Sequence, residues 1–172
     1  MRLAALTALA TLVLDQASKL GVLFGLNLEQ RGEIDVFPPF LVFRMAWNRG
    51  INFGLFSGEA QFTRWLLVIV ALAISTWVWL WVRREGARPL AQVSAGLLVG
   101  GALGNVIDRL AYGAVADFLN MSCCGIENPY AFNVADIAVF AGALGLVLFS
   151  GSSSTHGGRG RQKVGKAARK TP

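Results

Sequence analysis

Long apolar runs alternate with polar connections along this chain, and the pattern predicts membrane-spanning helices. A helix of about 20 apolar residues crosses the roughly 30 Å hydrocarbon core of a bilayer. Phe62–Val82 is the clearest such run, and three arginines follow it at positions 83, 84 and 88. The four predicted helices cover residues 3–24, 62–82, 90–109 and 133–149.

The polar connections predict the rest of the architecture. Residues 25–61 contain a β-like stretch, Phe40–Trp47, and residues 110–132 are short, mixed and capable of extended structure. We therefore predict an all-α membrane protein with four transmembrane helices in one domain, residues 1–150. It carries a small extracytoplasmic β-like platform and a short extracytoplasmic loop between helices 3 and 4. Residues 151–172, rich in Gly, Ser, Lys and Arg, are predicted to form a disordered cytoplasmic tail.

The first apolar run resembles a secretory signal peptide, because Arg2 precedes an apolar stretch that contains Ala8-Leu9-Ala10. The apolar character resumes after the polar group Asp15–Lys19, however, and continues to Leu26. This continuation favours an uncleaved transmembrane helix with polar residues in its outer half.

Composition excludes an ordinary soluble domain. The 172 residues are 54% hydrophobic and 15% charged, whereas soluble domains carry about 25% charged residues. The net charge of +6 comes from six basic residues in the tail, and the remaining ten basic and ten acidic residues cancel. Because no aromatic residue is interleaved with the basic ones, contact with anionic lipid is favoured over nucleic-acid binding.

The distribution of basic residues predicts the orientation in the membrane. Arg2, the arginine loop after the second helix and the basic tail share one side, whereas residues 110–132 contain no basic residue. By the positive-inside rule both termini are cytoplasmic, and the two longer connections are extracytoplasmic.

Asp117 and Asp136 are the candidate catalytic residues. Both lie among apolar neighbours without a nearby cation in sequence, and acidic groups at membrane depth are rare and costly. An apolar setting raises the pKa of a carboxyl group, and two close carboxylates share one proton. Such a pair can activate water and protonate a leaving group, as in an aspartic peptidase. Spacing alone leaves polar contacts between helices equally open.

Further polar residues group near the same outer edge. Asp15 and Lys19 form a self-compensating pair at i and i+4, and Asp108 is interpreted as a charge partner of Arg109 or of Lys19. Gly96, Gly100 and Gly104 provide a small-residue face for helix packing. The adjacent Cys123 and Cys124 have neither metal-site nor loop-closing spacing and receive no function. No cofactor and no metal ion is predicted.

Taken together, the polar segments resemble the lipoprotein signal peptidase (signal peptidase II) family of bacteria. Five blocks carry the resemblance in the family's order: Asp15–Lys19, Asn48–Gly54, Gly100–Arg109, Val115–Phe118 and Phe132–Asp136. Asn52 departs from the pattern, since the family usually has a small apolar residue there. The vicinal cysteines and the basic tail also lie outside the core pattern.

The resemblance implies an aspartic endopeptidase that cleaves prolipoproteins just before a diacylglyceryl-modified cysteine in the bacterial inner membrane. Asp117 and Asp136 match the family's catalytic pair. Four residues match positions that line the substrate or contact the cyclic peptide antibiotic globomycin: Asn48, Asn105, Arg109 and Asn133. Two further residues, Asp15 and Asp108, match supporting acids. Aromatic residues in the first connection suit a membrane-surface platform or flap, or simple interface anchors: Phe37, Phe40, Phe43, Trp47 and Phe53.

Two other function classes compete with the peptidase. A small proton-coupled transporter or channel subunit requires polar groups distributed through the membrane's depth, whereas the acids of this chain group near one edge. A non-catalytic assembly module would use the glycine face to bind partners, and costly intramembrane acids would then serve no purpose.

Overall fold

A computed structural model of the chain describes residues 1–50, 59–85, 88–122 and 128–150. Within these ranges the fold is mostly helical, with one small antiparallel sheet. The helices are α1 (Arg2–Leu20, continued by a π-helical turn over Gly21–Gly25), α2 (Leu28–Arg31), α3 (Glu59–Arg84), α4 (Pro89–Tyr112) and α5 (Val134–Phe149). The strands are β1 (Glu33–Phe37), β2 (Leu41–Asn48) and β3 (Val115–Asn120).

Three of the described helices are long and apolar enough to cross a membrane: Arg2–Gly25, Gln61–Arg84 and Pro89–Tyr112. The helix α5 is apolar but has 16 residues, which corresponds to about 24 Å of helix. Length and composition therefore support three of the predicted spans, and the fourth span stays a prediction.

The central helix α4 begins and ends at recognisable signals. Pro89 occupies its first turn, where a missing N–H costs no hydrogen bond. Gly113 follows the last residue in the left-handed conformation, with φ of 80°, and its N–H donates to the carbonyl of Arg109. Because only glycine adopts this conformation without strain, Gly113 turns the chain directly from α4 into β3.

Helix α4 is the centre of the bundle, since α1, α3 and α5 all pack against it. A Cβ atom on Gly100 would lie 2.5 Å from the carbonyl oxygen of Ala8 in α1. A Cβ atom on Gly101 would lie 2.5 Å from the carbonyl oxygen of Ala135 in α5. Both helix backbones therefore approach α4 where it has no side chain. The contact at Gly100 confirms the predicted packing face, and Gly101 provides a second close approach that was not predicted.

The sheet has the order β1-β2-β3, with both pairs antiparallel. Ala46 pairs with Asp117 and Asn48 pairs with Val115. Because side chains alternate between the faces of a strand, Asn48 and Asp117 project from the same face. The opposite face carries Phe118, which packs with the buried Val22 and Leu28. This apolar cluster attaches the sheet to the end of α1.

The sheet agrees with the predicted β-like platform and extends it. β2 and β3 form in the stretches expected to be extended, and β1, whose side chains are mostly exposed, adds a third strand, so the described fold is mostly helical with a small sheet rather than purely α-helical. The aromatic residues of the first connection are only partly exposed. Phe37 and Phe40 are exposed and stacked, but Phe43 packs edge-on against Phe118 with ring centroids 5.5 Å apart. Phe53 lies outside the described residues.

Candidate active site

Polar side chains from five elements meet at one end of the bundle. They come from the C-terminal part of α1, the C-terminal part of α4, the N-terminus of α5 and the strands β2 and β3. Five of them are almost completely buried: Asp15, Lys19, Asp108, Asp117 and Asn133. Burying so many polar groups is tolerated only where hydrogen bonds compensate the lost hydration.

Asp117 lies in β3 and is held by two side-chain amides. Its Oδ1 accepts a hydrogen bond from Asn133 Nδ2 at 2.6 Å, and its Oδ2 accepts one from Asn48 Nδ2 at 3.0 Å. The second bond follows from the register of β2 and β3, which places Asn48 and Asp117 on one face of the sheet. Both carboxylate oxygens are therefore oriented by neutral donors.

Asp136 lies in the first turn of α5. Its Oδ2 accepts a hydrogen bond from the backbone N–H of Asn133 at 3.2 Å, while Asn133 Oδ1 accepts one from the N–H of Asp136 at 2.9 Å. This reciprocal pair is a capping box, which satisfies two N–H groups that a helix start leaves unpaired. The other oxygen of Asp136, Oδ1, accepts a bond from Asn105 Nδ2 at 2.9 Å.

Asn133 connects the two carboxylates. Its side-chain amide donates to Asp117, its main-chain N–H donates to Asp136, and its Nδ2 also lies 3.2 Å from Asn105 Oδ1. Since Asn133 is completely buried, this bridge has little freedom to move. The structure thus brings together Asn48, Asn105 and Asn133 around the two acids.

The pKa of Asp117 is raised above its ordinary value. Burial, first, and the neighbouring charge of Asp136, second, raise the pKa of Asp117 to about 6. The hydrogen bonds from Asn48 and Asn133 and the positive charge of Lys19 act in the opposite direction. Desolvation of the charged form therefore outweighs the donors.

Lys19 is the centre of a second polar group. Its Nζ lies 2.8 Å from Asp15 Oδ2 and 2.7 Å from Asp108 Oδ2. Asp15 and Lys19 are thus not a self-contained pair, and Asp108 pairs with Lys19 rather than with Arg109. The Nη1 of Arg109 instead donates to the carbonyl of Asn105 at 3.3 Å, and its charge acts on Asp136, Asp117 and Asp108.

The sequence reasoning missed one residue of this group. Gln16 Nε2 donates to Asp15 Oδ2 at 3.1 Å, to Asp108 Oδ1 at 3.0 Å and to the carbonyl of Gly104 at 3.3 Å. Its position directly beside Asp15 in an otherwise apolar helix was the available signal. The capping box at the start of α5 could also have been predicted from the sequence, since an asparagine three residues before an aspartate marks a helix start.

A cavity of about 630 Å³ lies apart from these acids. Its described lining comes from the end of α1, α2, the ends of β2 and α4, and the adjoining loops: Leu23, Phe24, Asn27, Glu29, Gln30, Trp47, Arg49, Tyr112 and Ala114. Trp47 projects from the face of β2 opposite to Asn48. None of the described lining residues belongs to the carboxylate group, so the candidate chemistry lies outside this cavity.

Three membrane-capable helices, with two amide-bound carboxylates at one end of the bundle, are the arrangement expected of a membrane-embedded enzyme. The comparison with protein families specifies which one: the model of the signal peptidase (SPase) II family matches residues 7–151. The chain belongs to this family.

Curated relatives carry the name of the family's activity, and a solved membrane enzyme has a similar fold. A lipoprotein signal peptidase of Methylorubrum extorquens (strain PA1) is 52% identical over 142 residues, covering 83% of this chain and 81% of the relative. One of Methylobacterium radiotolerans is 48% identical over 147 residues, covering 84% and 83%. A structure described as a bacterial membrane enzyme, determined by the in meso method at 1.9 Å resolution, is similar with a TM-score of 0.69 and 26% identity, covering 84% of this chain and 90% of that chain. These comparisons do not support the transporter alternative.

Proposed function

We propose that this protein is an aspartic endopeptidase that removes signal peptides from prolipoproteins by cleaving before a diacylglyceryl-modified cysteine. The relatives' name, lipoprotein signal peptidase, supports the substrate class. The observation that carries the aspartic mechanism is the bridge from Asn133 to both Asp117 and Asp136.

In the proposed reaction the two carboxyl groups hold one proton between them. The raised pKa of Asp117 supports this sharing of a proton. The ionised member of the pair takes a proton from a water molecule. The water oxygen attacks the scissile carbonyl carbon while the protonated member protonates the carbonyl oxygen. Collapse of the tetrahedral intermediate breaks the C–N bond, and the amine leaves with a proton from the pair.

The asparagines around the pair set its geometry. Four separate N–H donors engage the four oxygens of the two carboxylates, so each carboxylate plane is fixed before substrate arrives. Asn48 and Arg109 are not completely buried and are available to contact an extended substrate backbone or a lipid headgroup. A globomycin-type cyclic peptide would use the same contacts and compete with substrate.

The location of the site suits a substrate that arrives through lipid. All the buried charged groups of the described helices lie at the end of the bundle that carries the sheet. We place this end at the extracytoplasmic face of the bacterial inner membrane, with four spans and both termini in the cytoplasm, following the positive-inside rule. The acyl chains of the substrate then remain in the bilayer while its scissile bond reaches the carboxylates.

The test is cleavage of a lipid-modified peptide by the purified protein in detergent. Asp117→Asn and Asp136→Asn each abolish cleavage while the protein still inserts and accumulates, because one member can no longer exchange a proton. Asp35→Asn is the matched control, since Asp35 is an exposed aspartate on the edge strand β1. Near-normal turnover by either Asp117→Asn or Asp136→Asn refutes the pair.

A further inference from the structure

The network around Lys19 reaches the backbone immediately before each proposed catalytic aspartate. Asp15 Oδ1 accepts a hydrogen bond from the N–H of Ala135 at 2.9 Å, and Ala135 precedes Asp136. Asp108 Oδ2 accepts one from the N–H of Ala116 at 3.2 Å, and Ala116 precedes Asp117. Two non-catalytic acids therefore fix the two segments that carry the catalytic ones.

Lys19 joins these two acids to each other. Its ammonium group lies within 2.8 Å of Asp15 and 2.7 Å of Asp108, and it also donates to Asn105 Oδ1 at 3.3 Å. Asn105 in turn donates to Asp136. One buried cation in α1 is thus connected with the start of α5, with β3 and with the Asp136 side chain.

Burial makes this arrangement rigid. The exposed fractions of Asp15, Lys19 and Asp108 are 0%, 2% and 1%, so water does not compete for their hydrogen bonds. A Cβ atom on Gly104 would collide with the Asp15 carboxylate, which shows that the carboxylate occupies the space beside the α4 backbone. Removing Lys19 from this group would leave two buried carboxylates without their cation, which is strongly destabilising.

We infer that Lys19, Asp15 and Asp108 form a positioning device that sets the separation of Asp117 and Asp136. The device acts through the main chain at Ala116 and Ala135 and contributes no reacting atom. This inference rests on the proposed catalytic pair and goes beyond it, because it assigns the distance between the carboxylates to three residues that do not touch substrate.

The informative variant is Lys19→Met combined with Asp108→Asn. In the native chain Asp15, Lys19 and Asp108 carry a formal net charge of −1, and in the double variant Asp15 alone carries the same −1. The double variant loses the ion pairs of Lys19 but keeps the net charge of the group. It therefore avoids the second uncompensated negative charge that Lys19→Met alone would leave. Gln16→Leu provides a milder change, since Gln16 is only half-buried and donates to both acids.

Turnover of a lipid-modified peptide is measured for each variant and divided by the amount of monodisperse protein in detergent. We expect kcat to fall about a hundredfold in the double variant, the loss associated with misplacing reacting groups by roughly 1 Å, with KM changed less than about twofold. Gln16→Leu lowers kcat by a smaller factor. Thr11→Val is the matched control, because Thr11 is buried on α1 one turn before Asp15 and outside the network, and it retains the native kcat.

The pH dependence of the cleavage rate distinguishes positioning from a purely structural role, because a purely structural role would leave it unchanged. Loss of the Lys19 charge raises the pKa of Asp117, so the limb of the pH–rate profile that this residue governs shifts to higher pH. The groups facing Asp117 are Asp136 from α5, Lys19 from α1, Arg109 and Asp108 from α4 and the neutral amides of Asn48 and Asn133. The double variant removes the charges of Lys19 and Asp108 together. Because the Lys19 charge acts directly to lower the pKa of Asp117, we expect its loss to outweigh the loss of Asp108.

Several results overturn the inference. A double variant with native kcat per folded molecule, or with a raised KM and native kcat, excludes positioning. Failure of all network variants to fold, with Thr11→Val intact, assigns the network to stability instead. The proposed function is tested separately: if Asp117→Asn and Asp136→Asn are inactive while the network variants are fully active, only the positioning role is wrong.

Discussion

The bridge at Asn133 offers the sharpest test of how the carboxylates are held. Asn133 has two separable tasks: its Oδ1 caps α5 by accepting from the N–H of Asp136, and its Nδ2 donates to Asp117. Serine is a good N-cap residue but is too short to reach Asp117, whereas alanine performs neither task. Comparing Asn133→Ser with Asn133→Ala therefore separates the cap from the bridge.

The magnitudes follow from the contacts. Loss of the cap costs about 1 kcal/mol of stability. The Nδ2 of Asn133 donates to Asp117 Oδ1 at 2.6 Å, and a hydrogen bond to a carboxylate in its charged form contributes about 1.5 to 3 kcal/mol. If that contribution applies in the transition state, its loss lowers kcat by roughly ten- to a hundredfold. We expect Asn133→Ser and Asn133→Ala to lose this activity equally, and Asn133→Ala to be less stable by about a further 1 kcal/mol.

The assay is cleavage of a lipid-modified peptide in detergent micelles, with thermal unfolding of the same preparations as the measure of stability. Native kcat in Asn133→Ser would show that the side-chain bond to Asp117 is unnecessary. A large difference in kcat between Asn133→Ser and Asn133→Ala would assign the activity loss to the cap, and either result would refute the bridge.

Two further predictions concern pH and packing. Because the native state holds the Asp117 proton up to about pH 6 while the unfolded chain releases it near 3.8, stability decreases as the pH rises through this window. Asp117→Asn lacks this pH-dependent contribution to stability. If the variant and the wild type showed equal pH dependence of unfolding, the raised pKa of Asp117 would be contradicted. Gly100→Ala, whose added Cβ would lie 2.5 Å from the Ala8 carbonyl oxygen, destabilises the protein by about 1 to 3 kcal/mol. Gly21→Ala is the control, since nothing lies within 4 Å of its added Cβ, and comparable thermal destabilisation of both variants would argue against close packing at Gly100.

Several features were accessible from the sequence because they depend on local composition and periodicity. Apolar runs of helical length predicted the three membrane-capable helices. The i, i+4 spacing of Gly96 and Gly100 predicted a helix-packing face, and the structure shows that α1 contacts it. Asp117 and Asp136 were identifiable because unpaired acids among apolar residues are costly. Their common location was inferred from the ends of predicted helices.

Other features were not accessible because they depend on contacts between distant segments. The strand β1 has mostly exposed side chains and therefore shows little hydrophobic patterning. The partner of Asp108 was left open between Arg109 and Lys19, since helical spacing describes only neighbours on one helix. The packing of α1 against α4 resolved this choice in favour of Lys19.

The sequence by itself determined that the chain carries membrane-capable helices and where the long ones lie, and it indicated two costly acids as candidates, because these properties follow from the transfer free energies of individual residues. Only the tertiary structure decided how those acids are held. Asn133 bridges residues on β3 and α5, and Lys19 joins α1 to both segments through Asp15 and Asp108. Hydrogen bonds act over about 3 Å, so the sequence specifies the donors and acceptors while the packing of the helices decides which of them meet.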